Sequence, residues 1–363
     1  MSAPPGGWAP LSVLAAGCVF PSGPSLALAE VAVRASLCLT RRHPCYVDRC
    51  GHPVRCSVFP TQPEPLRRWF ELADAALFDL ATHLPETVLP HLRERAIALW
   101  LVLPDADRPG LPPALITRLV QALEPNWAQI EVVTGTHAAT AIAITSAGIW
   151  IEQRHRPALV LAIDSPHAAD TLAGLEARGL VHGARTPYRG LARANPYGRI
   201  PGEAAAALLL GPRGGTPAWC HLAGLGTAAE PLTFDTEGPC VGAGLSAAAH
   251  AALEAAGPAG TRIGHLIHDA NGEPYRADEF GFTALRLAEH LAPGWRRTTP
   301  ALASGDLMSA SLATHLAIAA WQLRTDPAPP LRHGTTPDRN TLVLASSDEP
   351  LRAALVLTPA QEA

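Results

Sequence analysis

The chain has 363 residues, 48% apolar and 17% charged, enough to bury a large core as two domains or as one duplicated fold. A net charge of −4 leaves no cationic surplus for phosphates, and no Lys/Arg run is interleaved with aromatics, so nucleic acid is not an expected partner. No stretch reaches the ~20 uninterrupted apolar residues of a membrane span, which excludes membrane insertion by a helix from the expectations.

From the N-terminal end, Leu11 to Val19 reads as a buried first strand; its resemblance to a lipoprotein box at Gly17-Cys18 fails because no Lys or Arg precedes it. A helix is expected from about Ser25 to Cys38. Seven cysteines, an odd number without an export signal, read as reduced thiols in a cytoplasmic protein. His43, Cys45, Cys50, His52 and Cys56 fall close together, with Cys45, Cys50 and Cys56 the thiol candidates for zinc. No paired CxxC organises them, and a Pro- and Gly-broken loop with partly buried thiols is the plainer reading, so neither metal nor cofactor is expected.

The pattern continues with a helix over Trp69 to Ala81, a strand at Ile97 to Val102, a helix near Pro113 to Leu123, a strand at Gln129 to Val133, a long helix from about Thr136 to Gln153, and strands at Ala158 to Ile163 and Ala204 to Leu210. Pro and Gly from Gly211 to Trp219 interrupt both regular structures. The second stretch repeats this alternation with a helix at Ser246 to Ala255, a strand at Ile263 to His268, helices over Glu279 to His290 and Ser309 to Leu323, and closing strands at Leu342 to Ala345 and Ala353 to Leu357. Alternating strands and helices argue for α/β, and two similar halves, 1–215 and 216–363, argue for duplication.

Generic catalytic signatures are missing from the sequence: it has no GxSxG elbow, no HExxH and no P-loop. Gly242-Ala243-Gly244-Leu245-Ser246-Ala247 opens a helix, but Pro239 and Cys240 precede it where a dinucleotide cradle needs a strand. The informative place is Gln129 to Val133 running into Thr134-Gly135-Thr136-His137-Ala138-Ala139-Thr140 and an apolar small-residue helix. A side chain at such a junction faces a helix N-terminus, whose N–H groups and macrodipole would favour a thiolate or a developing oxyanion.

That junction, with Leu159 to Ser165 and the run Gly198-Arg199-Ile200-Pro201-Gly202-Glu203-Ala204 downstream, resembles the N-terminal half of the β-ketoacyl synthases of the thiolase superfamily. His268-Asp269-Ala270-Asn271-Gly272-Glu273 is similar to that family's first histidine loop. Ala303-Ser304-Gly305-Asp306-Leu307-Met308-Ser309 is similar to its second, and Leu342 to Leu357 to its last hairpin. The resemblance implies two duplicated halves in a layered α-β-α-β-α architecture.

The departures fall on the chemistry. Condensation needs a thiolate to carry the acyl group and two imidazoles to assist decarboxylation and stabilise developing charge. Here Thr136 or His137 holds the nucleophile position, Asn271 and Asp306 replace the two histidines, and Ser346-Ser347-Asp348-Glu349-Pro350 replaces a glycine-rich turn. Thr136, His137, Asn271, Asp306, Ser346 and Ser347 are therefore expected to line a vestigial pocket with no catalytic residue. Local readings stand beside these: Thr136 as a helix N-cap, His137 as a first-turn residue, Asn271-Gly272 as a tight turn, Asp306 as a cap for the helix near Ser309, Glu203 as a structural ion-pair member and His315 as a satisfied core or interface histidine.

The resemblance implies a homodimer built on Gln129 to Val133, and a binding, adaptor or scaffold role. The protein partner would be a type VI secretion effector or adaptor, or an active synthase. The rival expectation is an acyl-transferring or condensing enzyme with Thr136 as a replaced nucleophile and His137 or another histidine as base, or else the partner subunit of an active ketosynthase; neighbours at a helix start do not face one another, so a Thr136–His137 dyad is geometrically poor.

Overall fold

Apolar runs without period-two alternation mark strands covered on both faces. In the computed structural model, which describes residues 9–59, 64–188, 191–214, 217–236, 238–260, 262–326 and 338–360, such runs supply most strands of a ten-stranded sheet. The first stretch of chain holds β1 (Leu11–Val19), α1 (Leu26–Arg34), β2 (Arg41–Val47), β3 (Pro53–Cys56), α2 (Pro65–Ala81), α3 (Leu89–Arg93), β4 (Ala98–Leu103), α4 (Leu115–Leu123), β5 (Ile130–Thr134), α5 (Ala139–Arg154), β6 (Ala158–Asp164), α6 (Ala169–Ala177), β7 (Arg185–Tyr188), β8 (Leu191–Ala194) and β9 (Ala204–Pro212). The second holds β10 (Cys220–Ala229), α7 (Ala243–Ala256), β11 (Ile263–Ile267), α8 (Pro274–Arg286), β12 (Leu291–Thr298), α9 (Ala301–Ser304), α10 (Ser311–Thr325), β13 (Thr341–Ser346) and β14 (Leu351–Pro359).

The strand order β12-β11-β13-β14-β10-β1-β9-β6-β4-β5 repeats one pattern twice. In the first half β1 is antiparallel to β9 and β9 to β6, while β6, β4 and β5 are parallel neighbours. In the second half β10, β14, β13, β11 and β12 follow the same rule. The halves join through a short antiparallel ladder that pairs Leu11, Ser12 and Val13 with Leu222, His221 and Cys220. The duplication expected from the sequence is thus present; the boundary expected at 215/216 lies outside the described residues.

Alternate residues of the second-half strands face two cores. Val343, Ala345, Ala353 and Leu355 join Leu312 and Leu316 of α10, whereas Leu342, Leu344, Ala354 and Val356 join Ala248, Ala249 and Ala252 of α7. α10 and α5 touch strands of both halves, and α2 covers β1, β9 and β6. The layers are therefore α2, sheet, α5 with α10, sheet, α7 with α8. Sandwiched this way, α10 buries twelve of its 15 residues, which is why it is apolar all round.

Several elements differ from expectation. β10 escaped detection because Gly224 and Gly226 interrupt it; a Cβ there would lie 2.0 Å from Ala252 O and 2.1 Å from Ala248 O, so α7 rests directly on the strand backbone. β12 is a mostly exposed strand with Pro293, Gly294, Arg296 and Arg297, and carries no buried run. The expected Cys45–Cys56 loop is instead the β2–β3 hairpin, with Cys45 exposed, Cys50 half-buried and Cys56 buried. α8 starts at Pro274 rather than Glu279, since proline suits the first helical turn. α5 starts at Ala139 and not at Thr136. Among the described residues, no helix is long and apolar enough to cross a membrane.

Close approach of helix to strand makes a paired test. Gly226→Val is expected to cost about 3 kcal/mol in denaturant unfolding through overpacking against α7. Gly281→Ala, on α8 with nothing within 4 Å of the added carbon, is expected to be neutral or stabilising by up to ~1 kcal/mol.

Candidate functional site

The chain ends of β5, β11 and β13 converge on one place, each feeding a turn that carries a charged or polar side chain. β5 delivers Thr136 and His137, β11 delivers Asp269, Asn271 and Glu273, and the β13–β14 hairpin delivers Ser346 to Glu349. Asp306 is fixed by its backbone: its N–H donates to Ile200 O at 2.7 Å and its carbonyl accepts from Gly202 N at 2.8 Å. Gly305, at φ +68°, makes this approach, because a side chain there would meet Ile200 O at 2.3 Å. Arg199, one residue earlier on the same segment, is completely buried.

His137 is also completely buried. Its Nε2 lies 2.7 Å from Asp306 Oδ1, and Arg276 Nη2 approaches its Nδ1 at 3.2 Å. A guanidinium only donates, so Nδ1 accepts and Nε2 carries the proton given to Asp306. Asp306 also accepts from Asn271 Nδ2 at 2.6 Å and from Met308 N at 2.9 Å, and its Oδ2 lies 3.3 Å from Arg199 Nε. Arg199 grips Asp348 in a fork, Nη1 to Oδ2 at 3.0 Å and Nη2 to Oδ1 at 2.9 Å, and donates to Glu273 Oε1. Arg276 donates to Glu273 Oε2, to Asp348 Oδ1, to Asp269 Oδ2 and to Ser346 O.

Two guanidinium groups and an imidazole thus sit among three buried carboxyl groups, Asp269, Glu273 and Asp306, and the partly buried Asp348. Burial works to raise the Asp306 carboxyl, but His137, Arg199 and Arg276 hold it well below the usual carboxylate range. Asp348 and Glu273 are likewise held down against burial, chiefly by Arg199. Asp269 goes the other way, pushed up by burial that Arg276 only partly offsets.

The helix N-terminus expected to receive an oxyanion is occupied as well: Ala138 N donates to Ser347 Oγ at 3.0 Å. Thr136 faces outward. Its Oγ1 donates to Glu349 Oε2 at 2.8 Å and accepts from Asp348 N at 3.0 Å. Thr136, Asp348 and Glu349 line a cleft of about 550 Å³ whose other walls include Arg108, Leu175 and Asp235; His137, Asn271 and Asp306 are not among its lining residues.

The structure therefore brings Thr136, His137, Asn271, Asp306, Ser346 and Ser347 together, with Thr136 on the cleft side and His137 behind it. Thr136 is not an N-cap, because no side chain caps α5. Asp306 is not the cap of α10 either, since no side chain caps that helix; its Oδ1 accepts from Met308 N ahead of it. Glu203 is paired with Arg68 at 2.8 Å and with Ser165 Oγ at 2.6 Å. His315 is buried, but its Nδ1 has no hydrogen-bond partner, so the satisfied-histidine reading is corrected. Cys45, Cys50 and Cys56 form no metal-ligand cluster with their neighbours among the described residues. Arg199 and Glu273 stand inside the sequence motifs, which give them no role, and Arg276 lies outside every motif. The legible signal was Glu273, Arg276 and Glu279 at three-residue spacing, charges on one face of an otherwise mixed helix.

Two outcomes are expected. Arg199→Met leaves Glu273, Asp306 and Asp348 short of a counter-charge and is expected to cost ~3–5 kcal/mol in chemical unfolding. His265, His268 and His315 are pushed down to about 3, in each case mainly by burial. Unfolded histidine takes a proton near pH 6.5, so each of the three removes stability as pH falls from there towards 3, at up to ~1.4 kcal/mol per pH unit. The depressed carboxylates Asp306 and Asp348 lose their contribution only at lower pH, below the ordinary carboxylate value, and Asp269 and Glu203, pushed up by burial, act in the opposite sense. His315→Leu is accordingly expected to lose less stability between pH 7 and pH 5 than the unaltered chain, measured by urea unfolding at both pH values.

No protein-family model matches the chain, and no curated protein matches it. Solved structures do. A chain of the complex of a type II PKS acyl-carrier protein with its ketosynthase bound to the hexaketide (AntDE:AntF) superposes with a TM-score of 0.75 at 15% identity, covering 97% of this chain and 100% of that one. A chain of the ketosynthase ApeO in complex with its chain length factor ApeC from Xenorhabdus doucetiae gives 0.68 at 15% identity, covering 99% and 100%. The ketosynthase from module 6 of the bacillaene synthase of Bacillus subtilis 168 gives 0.68 at 12% identity, covering 97% of this chain and 72% of that one. The repeated five-strand order, the layers and these superpositions agree on one conclusion: the chain has the thiolase-like fold of the ketosynthases and chain length factors.

Proposed function

We propose that this protein is a catalytically inactive ketosynthase-like protein that works by binding other proteins, as an adaptor or scaffold. The observation that carries the reading is His137. It occupies the turn between β5 and α5 with both ring nitrogens engaged, one by Asp306 and one by Arg276. A condensing site needs a nucleophile reachable from a cavity and imidazoles free to exchange protons. Here Asn271 and Asp306 stand in the loops of the two expected histidines and are bound to each other at 2.6 Å. The pocket for chemistry is filled by an ion-pair network, and the cleft stops in front of it.

The partner surface begins with a second copy of the chain. Among the described residues β5 is the outermost strand of the first half and pairs with β4 alone, and the edge left open there supports pairing across a two-fold axis. The neighbouring folds include a ketosynthase complexed with its chain length factor and one with an acyl-carrier protein. These favour a protein ligand of the active-synthase class; a secretion effector or adaptor is the other partner we propose, from the sequence resemblance alone. Light scattering at micromolar concentration is expected to give a dimer, and Val132→Asp on β5 a monomer; a monomeric unaltered chain would contradict the dimer. Affinity purification from the native cell extract followed by mass spectrometry is expected to return a stoichiometric synthase or secretion component, and the absence of either speaks against the adaptor role.

One observation favours a second reading. Thr136 Oγ1 donates to Glu349 Oε2 at 2.8 Å on the wall of the cleft. In an acyl transfer, Oγ1 would attack a thioester carbonyl, Glu349 would take its proton and the thiolate would leave. Intact-mass measurement after exposure to acyl-thioesters is expected to show no adduct; an adduct lost in Thr136→Ala would establish this reading in place of the first.

A further inference from the structure

The most unusual group outside the His137 network lies on the far side of the second-half sheet. Glu230 follows the end of β10, Cys240 precedes α7, and Glu279 is on α8. All three are buried, and one ligand atom from each lies within 4.8 Å of the others. Among the described residues, this is the one set of three or more such side chains so placed.

The cluster is incompletely satisfied. Glu230 accepts from Gly244 N at 2.7 Å and more weakly from Leu232 N at 3.4 Å. Glu279 Oε1 accepts a hydrogen bond from Arg352 Nε at 2.5 Å, but Glu279 Oε2 has no hydrogen-bond partner although the residue is only 1% exposed. A buried carboxylate oxygen left without a donor is costly, and two carboxylates beside a thiol face a single guanidinium, itself shared with Tyr275 OH. A cation between the three would supply the missing charge and satisfy the orphaned oxygen.

We propose that Glu230, Cys240 and Glu279 form a binding site for a divalent cation of the zinc type. The thiolate selects a borderline-soft ion over magnesium or calcium, and three protein ligands leave a fourth tetrahedral position for water. Two ligand atoms of one tetrahedral zinc ion lie about 3.4–3.6 Å apart, so side-chain shifts of up to about 1 Å close the set. Binding releases the Cys240 proton to solvent. Arg352 on Glu279 Oε1 becomes the outer partner that orients this carboxylate. The site also has a place in the fold: Glu230 and Cys240 bracket the segment that carries Thr233 and Asp235 to the cleft wall, so a bound ion ties both ends of that wall to α8.

The test uses the full chain carrying Cys38→Ser, Cys45→Ser and Cys50→Ser, which removes the thiols that are not buried. Stripped of metal and titrated with cobalt(II), it is expected to develop a thiolate-to-cobalt charge-transfer band saturating at one equivalent, which zinc then displaces. Cys240→Ser in the same background, with the fold checked by circular dichroism, is expected to lose the band, and Glu279→Gln to weaken zinc binding at least tenfold. No band in the parent, or a band that survives Cys240→Ser, overturns the proposal. Should Glu279→Gln fail to fold, Glu230→Gln, away from Arg352, carries the affinity arm with the same expected loss.

Discussion

The carboxylate of Asp306 is the point on which the site depends. It accepts from the His137 ring, the Asn271 amide and the Met308 backbone, and faces the Arg199 guanidinium. His137 and Arg199 come from the first half of the duplicated fold, Asn271 and Asp306 from the second. One buried anion therefore ties together the loops of both halves, and its position is set by backbone bonds to Ile200 and Gly202, not by its own side chain.

A buried network of this kind gives little net stability compared with an apolar filling, because desolvation consumes most of the attraction. What it does is make each member indispensable, since removing one leaves the others charged and unpaired. Seven ionisable side chains, two Arg, one His and four carboxyl groups, are held together here on those terms. The Arg352–Glu279 pair repeats the device one layer out, holding the β13–β14 hairpin through the Ser347 and Glu349 carbonyls.

The strands with uninterrupted apolar runs, β1, β4, β6, β9, β13 and β14, were legible because burial on both faces leaves its mark in composition. β10 was not, since the glycines that admit α7 erase the same mark. At the site, Thr136, His137, Asn271 and Asp306 could be placed from their turn contexts. Arg199 and Arg276 could not, because a lone arginine in sequence carries no sign of the carboxylates that distant loops bring to it. The two-sidedness of the turn, with Thr136 towards the cleft and His137 towards the network, was also hidden: adjacent residues diverge, and only the β13–β14 hairpin decides which one meets solvent.

The His137 ring is fully engaged and has no nitrogen to offer a reaction, and on this the functional reading stands. The direct measurement is a two-bond proton–nitrogen spectrum of histidine-labelled protein, with His137→Gln to assign the ring. A single tautomer protonated at Nε2, with a ring proton that resists exchange with water, is the result this structure requires. Averaged signals from a ring proton that exchanges freely would contradict it and reopen the pocket to chemistry.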